Sequence, residues 1–137
     1  MTPQRCAEIY AVAFDNKRPW TTDEFANLIG SAHGVMTSNS DACFALGRVV
    51  AGEAELITIA TEPAKQRQGH AKTCLSDFVQ QCCARQAEAI FLEVDEQNTG
   101  AVALYSAFGF AETGRREGYY AHKDGSHTAA ILMTLKT

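Results

Sequence analysis

The segment Leu56-Ile57-Thr58-Ile59-Ala60-Thr61-Glu62-Pro63-Ala64-Lys65-Gln66-Arg67-Gln68-Gly69-His70-Ala71 joins an apolar, β-branched run to the start of an amphipathic helix. Isoleucine and threonine suit a pleated, half-buried strand, and Glu62-Pro63 breaks it. Past the break, Ala71, Cys74, Leu75, Phe78, Val79 and Cys82 recur at helical spacing, so a helix running to about Arg85 has one apolar face. A helix start leaves its first N–H groups without intrahelical partners and carries the positive end of the dipole. A glycine there, Gly69, lets an anion approach the backbone closely. Arg67 and Lys72 add positive charge, and the segment reads as a phosphate cradle between a strand and a helix. It is not a P-loop, which needs glycines where this chain has Gln66 and Ala71. Nor is it a Rossmann turn, which needs three glycines in Gly-x-Gly-x-x-Gly order.

Upstream, Thr2-Pro3 reads as an N-cap with proline at the first helical position, and Cys6, Ile9, Tyr10 and Ala13 give that helix a buried stripe. After the loop Asn16-Lys17-Arg18-Pro19, Thr21 and Glu24 have capping-box spacing. Phe25, Leu28 and Ile29 form the apolar face of this second helix, and Gly30 stops it. A short strand near Val35-Met36, a second over Ala42–Val50 and a third over Glu53–Thr61 read as an antiparallel meander. Beyond the cradle helix come a strand at Ile90–Val94, a short helix after Asn98, a strand over Phe110–Arg116 and a final strand over Thr128–Leu135. The pattern predicts an α/β chain with no internal repeat.

Gln66, Gly69 and Ala71 match the Gln/Arg-x-x-Gly-x-Gly/Ala acyl-CoA loop of the GCN5-related N-acetyltransferases (GNAT), and the chain resembles that family. Leu92-Glu93-Val94, then Asn98, Ala103-Leu104-Tyr105 and Gly109-Phe110 extend the likeness. So do Pro19-Trp20 and Arg115-Arg116 ahead of Tyr119-Tyr120. These features are most similar to the RimI-type ribosomal-protein-alanine N-acetyltransferases within the family. The resemblance is strong from Leu56 to Tyr120. It implies a GNAT fold, a mixed and mostly antiparallel central sheet flanked by helices, over one domain spanning residues 1–137. Members open with a strand before their first helix, and this chain starts almost at that helix, so the sheet is expected to lack its first edge strand and to leave Val35-Met36 as an edge.

The resemblance also implies acetyl-CoA as co-substrate. Its pantetheine arm would lie along Ile59, Ala60 and Thr61, and its pyrophosphate on the backbone of Arg67, Gln68, Gly69, His70, Ala71 and Lys72. N–H groups around Ile59 would be candidates to stabilise the oxyanion. Asn98 reads from the sequence as the N-cap of its helix, and the family adds a contact to CoA. Glu93 alternates with Ile90, Leu92 and Val94, on the face of Phe91 and Asp95. A carboxylate inside an apolar strand is either desolvated, with its pKa raised toward that of a general base, or a structural hydrogen-bonding group near the sheet end. Tyr105, among Ala101, Leu104 and Phe108, reads by itself as a core tyrosine; the family's matching tyrosine protonates the departing thiolate. His70 replaces a usually apolar residue and is expected to face solvent. His33, His122 and His127 fall in loops, and no Ser-His-Asp arrangement is legible.

The chain has 137 residues, 46% of them hydrophobic, with 12 basic against 16 acidic residues and a formal charge of −4. That size suits one domain with one core. The charge argues against broad nucleic-acid binding and suits a cationic partner such as an amine or a basic polypeptide tail. No run is long enough to span a bilayer and Met1–Arg5 is not a secretory signal, so a cytoplasmic protein without membrane association is expected. The five cysteines lack a Cys-x-x-Cys pair and are expected to be reduced, buried thiols without a metal. The function these features imply is acetyl transfer to a primary amine, the N-terminal alanine of a ribosomal protein being the family's closest precedent. Gly118, Ala121 and Ser126-His127-Thr128 depart from the RimI-type tail. A small amine or a lysine side chain therefore stays open as acceptor, and so does a catalytically silent acyl-CoA-binding module.

Overall fold

A computed structural model describes residues 1–15 and 17–137; Asn16, within the expected loop before Pro19, lies outside the described residues. Among the described residues the helices are α1 (Pro3–Ala13), α2 (Thr22–Ile29), α3 (His70–Ala84) and α4 (Thr99–Phe108). The strands are β1 (Gly34–Asn39), β2 (Cys43–Val50), β3 (Glu53–Thr61), β4 (Ala89–Asp95), β5 (Ala111–Ala121) and β6 (His127–Lys136). They form one sheet in the order β1-β2-β3-β4-β6-β5, antiparallel throughout except where β3 meets β4 in parallel. The cradle helix α3 is the crossover between those two parallel strands, as such a connection requires. β1 has β2 as its one sheet neighbour among the described residues and is an edge, as expected.

The helix ends follow the local code. The Arg5 N–H donates to Thr2 Oγ1 at 3.1 Å ahead of Pro3, and Thr21 and Glu24 exchange both bonds of a capping box, at 3.1 and 3.2 Å. Both faces of the sheet are covered, which explains why β2 is buried along most of its length. Cys43 and Ala45 pack with Cys74, Leu75 and Phe78 of α3, and Phe44 and Leu46 pack with Cys6 and Ile9 of α1 and Phe25 of α2. Four cysteines are buried as expected, but Cys83 is exposed, because the apolar stripe of α3 passes through Cys82 and leaves its neighbour outside.

β5 runs five residues further than the Phe110–Arg116 pattern suggested, from Ala111 to Ala121, and carries Tyr119 and Tyr120. It is an exposed edge strand whose register with β6 slips between Arg116 and Tyr120, and a strand exposed on both faces shows no alternation to read. β6 likewise takes in His127, a position the sequence pattern assigns to a loop.

A bulge shapes the middle of the sheet. Leu46 opposes Thr58 and Gly47 opposes Leu56, so Ile57 is the extra residue on β3. The parallel pairing of β3 with β4 is confined to Glu53–Leu56 against Ala89–Leu92 and stops at the same point. A bulge bends and twists its strand, and here the bend carries the end of β3 away from β4. Gly47 makes the close approach possible. A Cβ at this position would stand 2.0 Å from the Glu55 carbonyl oxygen and 2.6 Å from the Phe78 ring. Gly47→Ala is expected to destabilise the protein by about 3 kcal/mol, at the upper end for overpacking a core, measured by urea denaturation.

Candidate active site

Where β3 and β4 part, two clefts meet. The first, of about 490 Å³, is lined by Glu55–Ile59 of β3, Phe91–Asp95 of β4, Tyr105 of α4, Tyr119 and Tyr120 of β5, and Tyr10 and Trp20 from the α1–α2 side. The second, of about 640 Å³, runs along Ile59–Thr61 to Lys65, Gln66, Arg67 and the start of α3. Phe14, Lys17, Ile59, Asp95 and Asn98 line both.

The second cleft gathers nearly all the residues expected to hold the acyl carrier. Ile59, Ala60, Thr61, Arg67, Gly69, His70, Ala71, Lys72 and Asn98 line it, and Gln68 lies on the exposed turn outside it. On its far side β3 pairs with β2 through Thr61, so alternate backbone groups beyond Leu56 point into the gap that β4 has left. Ala60 is buried and offers its backbone alone. The helix begins at His70, after a 3₁₀ turn over Pro63–Lys65, with Gly69 as N-cap at φ +84° and no side-chain cap. The first N–H groups of α3 are thus left for an outside acceptor, and a Cβ at Gly69 would meet nothing within 4 Å. Arg67 also takes a positive φ, +61°, strain that a non-glycine residue accepts only under constraint. This uncapped, open, basic turn fits a pyrophosphate. His70 does not face solvent as expected: it is half-buried, with Nδ1 3.0 Å from the Asn39 amide. Asn98 caps α4, accepting from the Ala101 N–H at 3.2 Å.

Glu93 and Tyr105 both reach the first cleft, although they belong to opposite faces of the sheet. Tyr105 packs with Leu92, Val94 and Met133 on the α3 side, and Glu93 alternates onto the α1 side. Of the two environments open to the Glu93 carboxylate, desolvated or structurally paired, the structure shows the paired one. Its side chain is 30% exposed and lies 3.4 Å from the Arg116 guanidinium, which arrives from β5 across β6. Tyr105 is buried, and burial, with smaller contributions from Tyr120 and Cys43, raises its pKa well above the usual tyrosine value. Tyr120 is raised in the same direction, by burial first and then by the charge of Glu93. Both phenols keep their protons at neutral pH and are available as donors.

A further cluster was not legible in the sequence. Asp95, 4% exposed at the end of β4, accepts from the Gln97 N–H at 3.0 Å and lies 3.5 Å from Lys17 Nζ and 3.3 Å from His122 Nε2. His122, outside the strands as expected but buried, is also 2.7 Å from the Thr128 hydroxyl. Asp95 and Thr128 approach the same imidazole nitrogen, so His122 cannot relay a proton between them as in a hydrolase triad. Desolvation alone would raise the Asp95 pKa; the Gln97 N–H, the Thr128 hydroxyl, Lys17 and His122 together outweigh it and hold the pKa below the ordinary value. Asp95 shares a face with Glu93, a hint the alternation does give, but its partners come from residues far away in sequence.

The model of the acetyltransferase (GNAT) family matches residues 3–110. The ribosomal protein bS18-alanine N-acetyltransferase of Haemophilus ducreyi is 32% identical over 135 residues, covering 88% of this chain and 93% of that protein. The protein of the same name from Escherichia coli is 36% identical over 117 residues, covering 83% and 79%. The crystal structure of the Escherichia coli ribosomal-protein-alanine N-acetyltransferase superposes with a TM-score of 0.86 at 33% identity, covering 98% of this chain and 86% of that one.

Asp95→Asn keeps the shape and removes the charge that four partners hold, so it is expected to cost about 3 kcal/mol at pH 7, the lower range for breaking a buried ion pair. Folded Asp95 binds its proton less tightly than an unfolded aspartate. Its stabilisation is therefore complete above the unfolded pKa of ~3.9 and lost as pH falls through the lower folded value. Thermal melts of the two proteins should differ most near neutrality and draw together as pH falls through the lowered folded pKa of Asp95.

Proposed function

The chain belongs to the acetyltransferase (GNAT) family and is an acetyl-CoA-dependent N-acetyltransferase, and we propose that residues 1–137 act as one domain acetylating the N-terminal alanine of a ribosomal protein. The observation that carries this reading is the convergence of Glu93 and Tyr105, from opposite faces of the sheet, on one cleft that continues into the uncapped turn at Gly69. The relatives named above supply the acceptor class. A ribosomal acceptor implies a cytoplasmic enzyme.

In this proposal the second cleft takes acetyl-CoA. The α3 amides and Arg67 receive its phosphates, and the gap beside Ile59–Thr61 receives the pantetheine arm as a strand-like partner. Bound there, acetyl-CoA supplies an activated thioester at the junction of the clefts. The acceptor enters through the first cleft, between Tyr10 and Trp20 on one side and Tyr119 and Tyr120 on the other. An α-amine titrates near ~8, so much of it arrives protonated and a base must take that proton before or during attack. In this reading Glu93, which lines the first cleft, takes that proton, directly or through water. Its present partner, Arg116, is 54% exposed, and an arriving ammonium can displace it. Tyr105, kept protonated by burial, gives its proton to the leaving sulfur.

Tyr105→Phe keeps the ring packing and removes the donor, and Glu93→Gln keeps the shape and removes the base. Each is expected to lower kcat by about 10²-fold with acetyl-CoA affinity unchanged. Thiol release and calorimetry measure the two quantities, and a variant of full rate returns that residue to a structural role. For the acceptor, a short peptide starting with alanine and continuing with basic and aromatic residues should be acetylated faster than the same peptide blocked at its α-amine but retaining lysine. Better use of the blocked peptide, or of a small polyamine, would overturn the N-terminal reading.

A further inference from the structure

Lys17 stands apart among the basic side chains around the clefts. It comes from the connection between α1 and α2, its side chain is only 18% exposed, and it lines both clefts where they meet. Its ammonium lies 3.5 Å from Asp95, 4.2 Å from the centre of the Tyr120 ring and 5.5 Å from that of Phe14. A lysine usually keeps its head in water and lays only its stem against the protein. Here the head is enclosed between a carboxylate on β4 and an aromatic face on β5, two elements separated in the sheet by β6.

Asp95 does not depend on Lys17 for hydrogen bonding, since the Gln97 N–H and the His122 and Thr128 side chains already surround it. What Lys17 adds is the reach from Asp95 to Tyr120. The Tyr120 ring needs such a hold. The register between β5 and β6 slips between Arg116 and Tyr120, so the regular ladder is interrupted just before this residue. The ring is then set by side-chain contacts. One is with Tyr119, edge to face at 5.1 Å, but Tyr119 is itself 50% exposed; Lys17, only 18% exposed, is a more enclosed one. A cation over an aromatic face is attracted to it more strongly the less water reaches the pair.

We propose that Lys17 is a positioning residue for the acceptor: held by Asp95, it fixes the Tyr120 ring as a wall of the acceptor cleft. This rests on the reading of the first cleft as the acceptor site. Lys17 takes no part in the bond-making step, and its removal leaves the groups that hold acetyl-CoA in place. The tertiary structure thereby uses a residue before the second helix to shape a wall built from the other end of the chain.

The test is a steady-state comparison of the wild type with Lys17→Met, Lys17→Arg, Tyr120→Leu and the Lys17→Met/Tyr120→Leu double variant, using an alanine-initiated peptide and acetyl-CoA with thiol release as readout. Lys17→Met keeps the stem and removes the charge, and should raise the peptide KM about tenfold while the KM for acetyl-CoA stays within about twofold. Lys17→Arg, which keeps a cation able to stack on a ring, should recover most of the peptide KM. In the Tyr120→Leu background, Lys17→Met should have no further effect on peptide KM, because the residue acts through that ring. Lys17→Gln takes the place of Lys17→Met if the latter does not fold. An unchanged peptide KM, an equal rise in both KM values, or additive effects in the double variant would overturn the inference while leaving the acetyltransferase reading intact. A wild type that acetylates no peptide amine overturns the acceptor reading and this inference with it.

Discussion

The pairing of β3 with β4 ends at Leu56 and Leu92, and the site depends on that interruption. An unbroken sheet would keep Glu93 and Tyr105 on opposite faces, separated by a hydrogen-bonded layer. Because the strands part, side chains from both faces enter one cleft, and the backbone of Ile59–Thr61 is left with groups turned toward a gap. Unpaired strand groups are ordinarily a liability. Here they border the two clefts, so a ligand of strand-like shape can complete the ladder that β4 does not.

The local cause is small. One extra residue, Ile57, bends β3, and the bend is tolerated because Gly47 opposite it has no Cβ to meet the Glu55 carbonyl and the Phe78 ring. Packing on both sides then holds the bend in place, α3 from one face and α1 with α2 from the other. The same parting lets the end of β4 carry Asp95 to the junction of the two clefts. A buried carboxylate there is stabilised only because several donors from separate segments converge on it, which ties the α1–α2 connection, β4 and the β5–β6 end of the sheet around the cleft.

Where one residue's neighbours in sequence are also its neighbours in space, the sequence was readable. The cap of α1, the capping box of α2, the apolar stripe of α3 and the alternation of β4 are all local periodicities, and each lies where it was read. The uncapped turn at Gly69 belongs with them, since a strand, a break and a glycine before an amphipathic helix leave few alternatives. β5 was misjudged in length because an edge strand open to solvent carries no burial signal. The sequence leaves two environments open for Glu93, because its exposure and its Arg116 partner are set by β5 and β6, which no pattern within β4 reports.

The amino-acid order by itself therefore determined most of the elements, the uncapped glycine turn before α3 and the identity of the chemical groups, since these follow from backbone sterics, helix-end hydrogen bonding and side-chain periodicity. Only the tertiary structure decided which groups meet. It brought Tyr105 and Glu93, from opposite faces of the sheet, to the lining of one cleft, enclosed Lys17 between Asp95 and Tyr120, and drew His122 and Thr128 onto the same carboxylate. Those contacts join residues far apart in the chain, and the shared cleft of Tyr105 and Glu93 lies where the bulge opposite Gly47 coincides with the end of β3–β4 pairing.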